Sequence, residues 1–361
     1  RLSHAPGSGG ERRRLMRKIK ETEYMYASAR LRMLENRMVG RERVEALCDA
    51  KTGAEVRARL AEYGIAVGGE PGAGEEAVLP GILRDAYDEV ASCVPDAAVF
   101  DWMRFPYDCN NLKMALKCHI RQLSGEETAG LLFDFGTVPA ADVLTLIGSE
   151  TPAPELAGRV PPELLEALSD AREAFAKSGD PRQIDLRLDR ACYRAMLAAA
   201  TATGEPMLAG WVRAKIDLVN VMITLRILRL SLGASAGQFL EEALLPGGSL
   251  DPDFFRAALG ETGGEDNLLW RLRTTRQPLL EGLVRRMEKT DKSLSALEKC
   301  CDDTHMELVR HDARVPFGVG VPGGYLYGWE TAVRNIRIIL AAREAGLTPA
   351  QTRERVRESY V

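Results

Sequence analysis

The densest group of metal-binding and nucleophilic side chains lies near the end of the chain, between residues 300 and 311. It contains six such residues: Cys300, Cys301, Asp302, Asp303, His305 and His311. Thiolate, imidazole and carboxylate groups are the usual ligands of zinc in proteins. On a helix only Cys301 and His305 share a face, and Cys301 also belongs to an apolar seam. The sequence therefore favours a packed helix here over a metal site, and we expect no metal or cofactor.

A glycine pattern follows this group. Gly318-Val-Gly320-Val-Pro-Gly323 has the G-x-G-x-x-G spacing of dinucleotide-binding loops. Such a loop follows a strand, opens a βαβ unit and has an acidic residue about 20 positions further on. Only 38 residues remain after Gly323, and they have a helical pattern. We interpret the segment as an irregular loop that enters the last helix pair at Tyr325, with nucleotide binding as the weaker alternative.

The other reactive combinations lack the partners that catalysis needs. His119 follows Cys118, but nothing in the sequence supplies the group that would orient this pair. Residues 12–20 carry six positive charges in nine positions without interleaved aromatic rings, which predicts a solvated helix start rather than a phosphate or lipid contact. No nucleophile elbow or P-loop occurs, so we expect no catalytic residue.

Composition indicates an ordinary globular protein of moderate size. The 361 residues carry 48 basic and 52 acidic side chains, a net charge of -4 that excludes a strongly basic nucleic-acid binder. At about 150 residues per domain, two to three domains are expected. The seven cysteines show no C-x-x-C spacing and indicate reduced thiols in a cytosolic protein. No apolar stretch of about 18 residues predicts a membrane span. Residues 1–10 are interpreted as a flexible leader.

Apolar residues recur at spacings of three and four along nearly the whole chain, which predicts an all-α fold. Three long helices stand out: Glu11 to Cys48, Pro206 to Leu232, and Pro278 to Arg310. In the last of these, apolar residues recur every seven positions from Leu280 to Leu308. Segments rich in glycine or proline predict loops at 64–75, 148–162, 245–253 and 260–266.

The most informative feature is an internal repeat. Its pattern, W-φ-R-x3-D-x2-N-φ-x-φ-x-L with φ apolar, occurs twice at a distance of 109 residues. Its distinctive positions are Trp102, Asp108 and Asn111 in the first copy and Trp211, Asp217 and Asn220 in the second. A weaker third copy lies 115 residues further on at Asn335, without the aspartate and with Leu326 at the tryptophan position.

A second landmark repeats with nearly the same period. Gly136-Thr137-Val138 matches Gly248-Ser249-Leu250 at an offset of 112 residues, and the flanking Leu132 and Gly148 keep that offset. A repeat unit of about 110 residues is a domain rather than a solenoid unit. The two landmarks together predict three related helical modules, at 11–123, 124–232 and 233–361.

The repeated polar residues have two open interpretations. Asp and Asn three positions apart lie on one helix face beside an apolar stripe. In the first interpretation each asparagine ties its helix to its own module, because a buried amide without a partner costs about 1–3 kcal/mol. In the second, the repeated faces line a common axis and present their polar groups to a ligand.

Several segments, in order, carry a resemblance to a known family: Tyr26 to Glu35 (YASARLRMLE), Ile184 to Tyr193, Lys215 to Asn220 (KIDLVN), Pro316 to Tyr325, Glu330, Asn335 to Ile339 (NIRII) and Gly346 to Pro349 (GLTP). Together they resemble the C subunit of bacterial and archaeal V/A-type rotary ATPases, the counterpart of the d subunit in eukaryotic vacuolar ATPases. The resemblance covers essentially everything after residue 20.

This resemblance implies a funnel of three similar helical modules around a pseudo-threefold axis. The funnel would sit on the cytoplasmic face of the membrane proteolipid ring as a peripheral subunit and receive the tip of a shaft made by the D and F subunits. Its role would be to transmit torque, in ATP-driven ion transport or in ATP synthesis, without a catalytic site. The alternative is a helical scaffold or adaptor unrelated to ATPases, which the repeat alone permits.

Overall fold

The computed structural model describes residues 20–65, 75–149, 153–230, 235–260 and 264–361. Every regular element in these ranges is a helix, so the predicted all-α fold is confirmed. None of the helices in the same ranges is long and apolar enough to cross a membrane. The interpreted leader, residues 1–10, and the basic residues 12–19 lie outside the described residues.

The N-terminal part consists of a 3₁₀ turn, Glu21–Tyr24, and four helices. These are α1 (Met25–Glu35), α2 (Arg41–Asp49), α3 (Gly53–Glu62) and α4 (Glu75–Ala91). The prediction of one helix from Glu11 to Cys48 is therefore wrong. Helix α1 ends at Glu35, and Gly40, in an extended conformation, is the N-cap residue of α2. The amide of the next residue, Arg41, donates to the Val361 carbonyl at 2.9 Å. A contact with a segment distant in sequence therefore satisfies one of the free amides at the start of α2.

The middle part begins with a 3₁₀ segment, Ala97–Arg104, that leads into the first repeat helix. Its helices are α5 (Phe105–Ile120), α6 (Gly125–Ala129), α7 (Ala140–Gly148), α8 (Pro154–Ala157), α9 (Pro162–Ser178), α10 (Arg182–Ala202) and α11 (Pro206–Arg229). The predicted helix from Pro206 is confirmed as far as Arg229. The predicted loop 148–162 contains the one-turn helix α8, and residues 150–152 of that loop lie outside the described residues.

The C-terminal part contains α12 (Ala236–Ala243), α13 (Pro252–Arg256), a 3₁₀ turn (Ala257–Leu259), α14 (Glu265–Thr274), α15 (Pro278–Met287), α16 (Leu294–Asp312), α17 (Gly320–Glu344) and α18 (Pro349–Arg353). Two of the sequence predictions for this part are wrong; one error has a local cause and the other reflects a contact with distant parts of the chain.

The single helix predicted from Pro278 to Arg310 is two helices, α15 and α16, that pack against each other. Lys292 has a left-handed φ of 58°, and Ser293 then caps α16 by accepting the amide of Ala296. Leu280, Met287 and Cys301 of the seven-residue series are buried in the smaller cluster, whereas Leu294 at the start of α16 is exposed and Leu308 packs against the larger cluster.

The irregular loop predicted up to Tyr325 is also wrong, because α17 begins five residues earlier at Gly320. The glycines of this segment permit close packing rather than a loop. A Cβ atom at Gly323 would lie 3.0 Å from the Trp211 ring, and one at Gly324 would lie 2.7 Å from the Tyr360 hydroxyl. Glycine lets α17 approach these rings.

The hydrophobic core has two parts. The larger cluster takes residues from the N-terminal helices, from α5 to α11 and from α16 to the C terminus. The smaller cluster lies between residues 218 and 301 and joins α11 to α12, α14, α15 and α16. The larger cluster contains residues of all three predicted modules, so the modules share a hydrophobic core. Their boundaries remain a prediction from the sequence repeat.

Each repeat helix packs against a helix from another part of the chain. Helix α5 packs against α10, α11 packs against α16, and α17 packs against α4. In terms of the predicted modules, the first contacts the second, the second contacts the third, and the third contacts the first. Each predicted module therefore contacts both of the others.

Candidate functional site: a charged recess beside the repeat helices

The three repeated asparagines make the same contact in the structure. The Asn111 side chain accepts the amide of Phe133 at 2.8 Å and donates to the carbonyl of the same residue at 2.8 Å. Asn220 makes the same reciprocal pair with Leu245, at 2.8 and 2.9 Å. Each asparagine is buried and binds the backbone of the segment that follows its own helix.

The third copy keeps this contact although its sequence is the weakest match. Asn335 accepts the amide of Arg357 at 2.7 Å and donates to its carbonyl at 2.9 Å. A carboxylate of the neighbouring helix also binds this segment. Asp303 of α16 accepts the next backbone amide, that of Glu358, at 2.7 Å. Geometry therefore extends the repeat further than the residue types alone.

The two aspartates explain why the glycine landmark repeats with them. Asp108 accepts the Val138 amide at 3.0 Å, and Asp217 accepts the amides of Ser249 and Leu250 at 3.0 Å each. A Cβ atom at Gly136 or Gly248 would overlap the carboxylate of the matching aspartate. Burial raises the pKa of both carboxyl groups, and these hydrogen bonds oppose the rise. The two landmarks in the sequence are thus one structural unit.

The tryptophans differ between the copies. Trp211 donates from Nε1 to an Asp312 carboxylate oxygen at 2.7 Å, which links α11 to the end of α16. Trp102 is also buried, but its Nε1 atom has no hydrogen-bond partner in the part of the chain that the structure describes. The repeated asparagines and aspartates bind backbone groups of the chain itself, but the partners of Asn111 and Asn220, Phe133 and Leu245, lie beyond the predicted ends of their own modules. These contacts therefore join each repeat helix to the segment that follows it, and the two interpretations stay open.

A recess opens beside these helices on a different face. It has a volume of about 290 Å³ and is formed by α10, α11, α16, α17 and the C-terminal segment. Its lining residues are Tyr193, Lys215, Leu218, Val219, Met222, Arg226, Glu298, Cys301, Asp302, Arg334 and Arg357. Four of these side chains are cationic and two are carboxylates, so the lining has a surplus of two positive charges.

Three of the four cations converge on one carboxylate. Asp302 lies 2.8 Å from the Lys215 ammonium, 3.0 Å from the Arg357 guanidinium and 3.2 Å from that of Arg334. The second carboxylate, Glu298, lies 3.0 Å from Arg226. Charge-assisted contacts of this kind are about twice as strong as neutral hydrogen bonds.

The charges of this cluster are stable over the physiological pH range. Burial acts to raise the pKa of Asp302, but the nearby Lys215 and Arg334 cations outweigh it and hold that pKa well below its usual range. Burial acts to lower the pKa of Lys215, and Asp302 outweighs it and raises that pKa. Both groups are therefore ionised at neutral pH.

Neutral polar groups lie next to the charged ones. Burial, together with the Lys215 cation, lowers the pKa of His305 to about 3, so its ring is uncharged at neutral pH. Its Nε2 atom lies 2.9 Å from the Trp211 carbonyl, which can only accept, so Nε2 carries the proton and donates. Its Nδ1 atom then accepts from the Tyr327 hydroxyl at 2.8 Å.

The carboxyl group of Glu330, on α17, has a pKa close to neutral pH. Burial raises the pKa of Glu330 to about 7, against the opposing effects of a hydrogen bond from Tyr87 and of the Arg334 charge. The Tyr87 hydroxyl donates to this carboxyl group over 3.0 Å and joins α4 to α17. Glu330 is one helical turn before Arg334 and therefore faces the same side of α17.

Comparison with known proteins gives a consistent result. The family model for the ATP synthase (C/AC39) subunit matches residues 27–355. The chain belongs to this family. It is 26% identical to the C subunit of the A-type ATP synthase of Methanocaldococcus jannaschii, over 91% of this chain and 85% of that protein. It is 24% identical to the protein of the same name from Desulfurococcus sp., over 93% and 91%, and 24% identical to that of Thermococcus kodakarensis, over 94% and 92%.

Membership of the C/AC39 family confirms the resemblance proposed from the sequence, and it makes the chain a subunit of an ATP synthase complex. The residues weighed as zinc ligands have other contacts in this family member. Cys301 belongs to the smaller apolar cluster, His305 binds Tyr327 and Trp211, and His311 is largely exposed. Within the described ranges, no group of three or more such residues is placed to hold a metal ion.

A second, larger depression lies elsewhere on the chain, with a volume of about 570 Å³ between α9, α10 and α12. Its charged lining residues are Asp170, Glu173, Lys177, Arg187, Arg190, Arg194, Glu241 and Glu242. Four cations there face four carboxylates, so its charges balance. The recess beside the repeat helices, with its surplus of positive charge, is the stronger candidate for a binding site in this protein.

The sequence alone does not single out the residues of the recess. Lys215 and Arg334 lie within the repeat segments, but neither is one of the residues that the copies have in common. A usable signal exists, because Lys215 and Glu330 stand five positions before Asn220 and Asn335 and are charged residues in apolar helices. Residue type marks Asp302 only as a metal-ligand candidate, and its partners come from three separate elements.

Proposed function

We propose that the chain is a non-catalytic rotor subunit of a V/A-type ATPase, a socket that couples a D–F shaft to the membrane proteolipid ring. It would serve in ATP-driven ion transport or in ATP synthesis, with the ATP sites in other subunits. The observation that carries this proposal is that the three predicted modules contact one another in turn, through α5 on α10, α11 on α16, and α17 on α4. A socket of three modules around a shaft requires such contacts between all three.

The repeated hydrogen bonds support a role in transmitting torque. A part that transmits force must not deform, and packed protein interiors have low compressibility. The asparagine pairs fix the segment after each repeat helix to that helix, at Phe133, Leu245 and Arg357. Removing one partner of a buried hydrogen bond costs about 1–3 kcal/mol. We therefore assign the repeated asparagines and aspartates a stiffening role in this proposal.

The proposal includes the arrangement and the location of the protein. Three modules, with boundaries near residues 123 and 232, would surround a pseudo-threefold axis, and the chain would bind the cytoplasmic side of the membrane through the ring. The relatives, which are named as C subunits of A-type ATP synthases, support membership of such a complex. The contacts between all three modules support the arrangement.

Calorimetric titration of the full chain with a purified D–F complex from the same source tests the proposal. We expect saturable one-to-one binding, measured at two salt concentrations so that the contribution of charge is separated from that of apolar contacts. A parallel titration with the detergent-solubilised ring tests the other interface. If a well-folded chain binds neither the shaft nor the ring, the socket role is wrong and a helical adaptor becomes the better account.

A further inference from the structure

We propose that the recess beside the repeat helices binds an acidic side chain of the shaft, on a segment that also presents an apolar side chain. The inference rests on the proposed function, since it names the chemistry by which that socket would recognise its shaft. It extends that function to specific residues: Arg334 and Arg226 at the mouth, with Lys215 deeper inside.

The surplus charge is the first argument. Four cations and two carboxylates line the recess, and each carboxylate is already close to more than one cation, because Glu298 also lies 3.9 Å from Arg357. Cations that lie side by side in a partly desolvated recess repel each other. An additional carboxylate would relieve this repulsion and would form charge-assisted hydrogen bonds with the guanidinium groups.

The distribution of exposure is the second argument. The deepest ion pair is nearly closed to solvent, since the Asp302 and Arg357 side chains are each 11% exposed. The Arg334 and Arg226 side chains at the mouth are 45% and 49% exposed. Arg334 is also the most distant of the three cations around Asp302. The groups that could bind a partner are therefore the accessible ones, and a buried charge behind them holds Arg334 in place.

The apolar side of the lining is the third argument. Leu218, Val219 and Met222 of α11 lie beside the charged groups; Leu218 and Met222 are buried in the smaller cluster, and Val219 is half-buried. The accessible apolar surface is therefore that of Val219, where a protein segment can place an aliphatic side chain while its carboxylate meets the cations. A helix is about 10 Å across with a pitch of about 5.4 Å, so one turn of it is larger than this recess. The recess therefore takes individual side chains, and the rest of the segment stays outside.

The test compares variants of the full chain in calorimetric titration with the D–F complex. Arg334→Gln removes the most exposed contact to Asp302, which keeps Lys215 and Arg357 as partners, so this variant is expected to fold. Arg256→Gln is the matched control because it removes the same charge from a side chain outside the recess that pairs with Glu241 and Asp253. Circular dichroism and thermal unfolding establish that each variant is folded.

We expect Arg334→Gln to weaken shaft binding about tenfold and the double variant Arg226→Gln/Arg334→Gln to weaken it further, while Arg256→Gln stays within about twofold of the wild type. The salt dependence of binding should also become shallower in the double variant. Wild-type binding that neither recess variant changes would overturn this inference and leave the proposed function standing.

Two other outcomes are also decisive. If the wild-type chain itself fails to bind the shaft, the proposed function fails together with this inference. If inorganic phosphate raises the melting temperature of the wild type but not of Arg334→Gln, while both bind the shaft equally, the recess is a site for a free anion and the inference is wrong. The three readouts use the same purified proteins, so each outcome is separable from the others.

Discussion

Two faces of helix α11 use polar residues in opposite ways. On one face, Asp217 and Asn220 are buried and bind the backbone of the segment around residues 245–250. On the other, Lys215 and Arg226 line an open recess in which cations outnumber carboxylates. Both faces belong to one continuous helix of the same repeat, so the difference between them reflects what each face contacts.

The comparison separates residues that the fold requires from residues that are available to a partner. A buried polar group must be satisfied internally, because leaving it unpaired costs about 1–3 kcal/mol. A charged side chain that remains partly hydrated does not need a complete set of hydrogen-bond partners within the protein, and an additional partner can stabilise it further. Polar groups that are fully paired thus indicate architecture, and surplus charge in a recess indicates binding. The following experiments test this distinction, from the largest expected effect to the smallest.

Gly248→Ala should give the largest loss of stability. A Cβ atom there would overlap the Asp217 carboxylate, and moving that carboxylate would break its bonds to Ser249 and Leu250. We expect the free energy of unfolding, from urea denaturation followed by circular dichroism, to fall by about 3 kcal/mol.

Gly148→Ala is the control, because a Cβ atom at Gly148 meets open space and the residue ends a helix. Its effect should stay within about 1 kcal/mol and favour the folded state. Equal effects of the two substitutions would show that the aspartate and glycine landmark does not hold the loop.

Asn111→Ala should be the next largest change, with a loss of about 2 kcal/mol in the free energy of unfolding. It leaves both backbone groups of Phe133 without their side-chain partner. The adjacent Asn110 is only half-buried, and Asn110→Ala should change stability by less than about 0.5 kcal/mol. A loss of the same size in both variants would contradict the proposed role of Asn111 in fixing the segment at Phe133 to its helix.

Glu330→Gln tests a residue that is neither a fully paired architectural group nor a surplus charge of the recess. The folded-state pKa of about 7 lies above the ordinary value, so the folded state retains a proton that the unfolded state has released. That extra stability is present at low pH and is lost as the pH rises through about 7. Relative to the wild type, Glu330→Gln should therefore gain about 1–3 kcal/mol on going from pH 5 to pH 8.

Urea denaturation at the two pH values measures this gain, and Glu62→Gln on an exposed position is the control. The amide of the variant can still accept the Tyr87 hydroxyl, so the hydrogen bond is preserved. Identical pH profiles for Glu330→Gln and the wild type would show that this carboxyl group is already ionised in the folded protein at low pH.

The sequence predicted helices well where a start signal was explicit and failed at helix breaks, one of which, at Lys292 and Ser293, is local while the others involve distant contacts. Helix α11 begins at Pro206 as predicted, because proline favours the first turn of a helix. The break between α1 and α2 involves the Val361 carbonyl, and the early start of α17 involves glycines packed against Trp211 and Tyr360. Apolar spacing contains no information on such contacts.

The family, the all-α fold and the repeated residues were determined by the sequence alone, because they depend on residue types at fixed spacings. The pairing of Asp108 with Gly136, and of each asparagine with a backbone segment, required the tertiary structure to become visible as one unit. The recess required it entirely. Its charge surplus arises from four cations, Lys215, Arg226, Arg334 and Arg357, against the two carboxylates Glu298 and Asp302. Only folding brings Lys215 and Arg334, which are 119 positions apart, within hydrogen-bonding distance of Asp302.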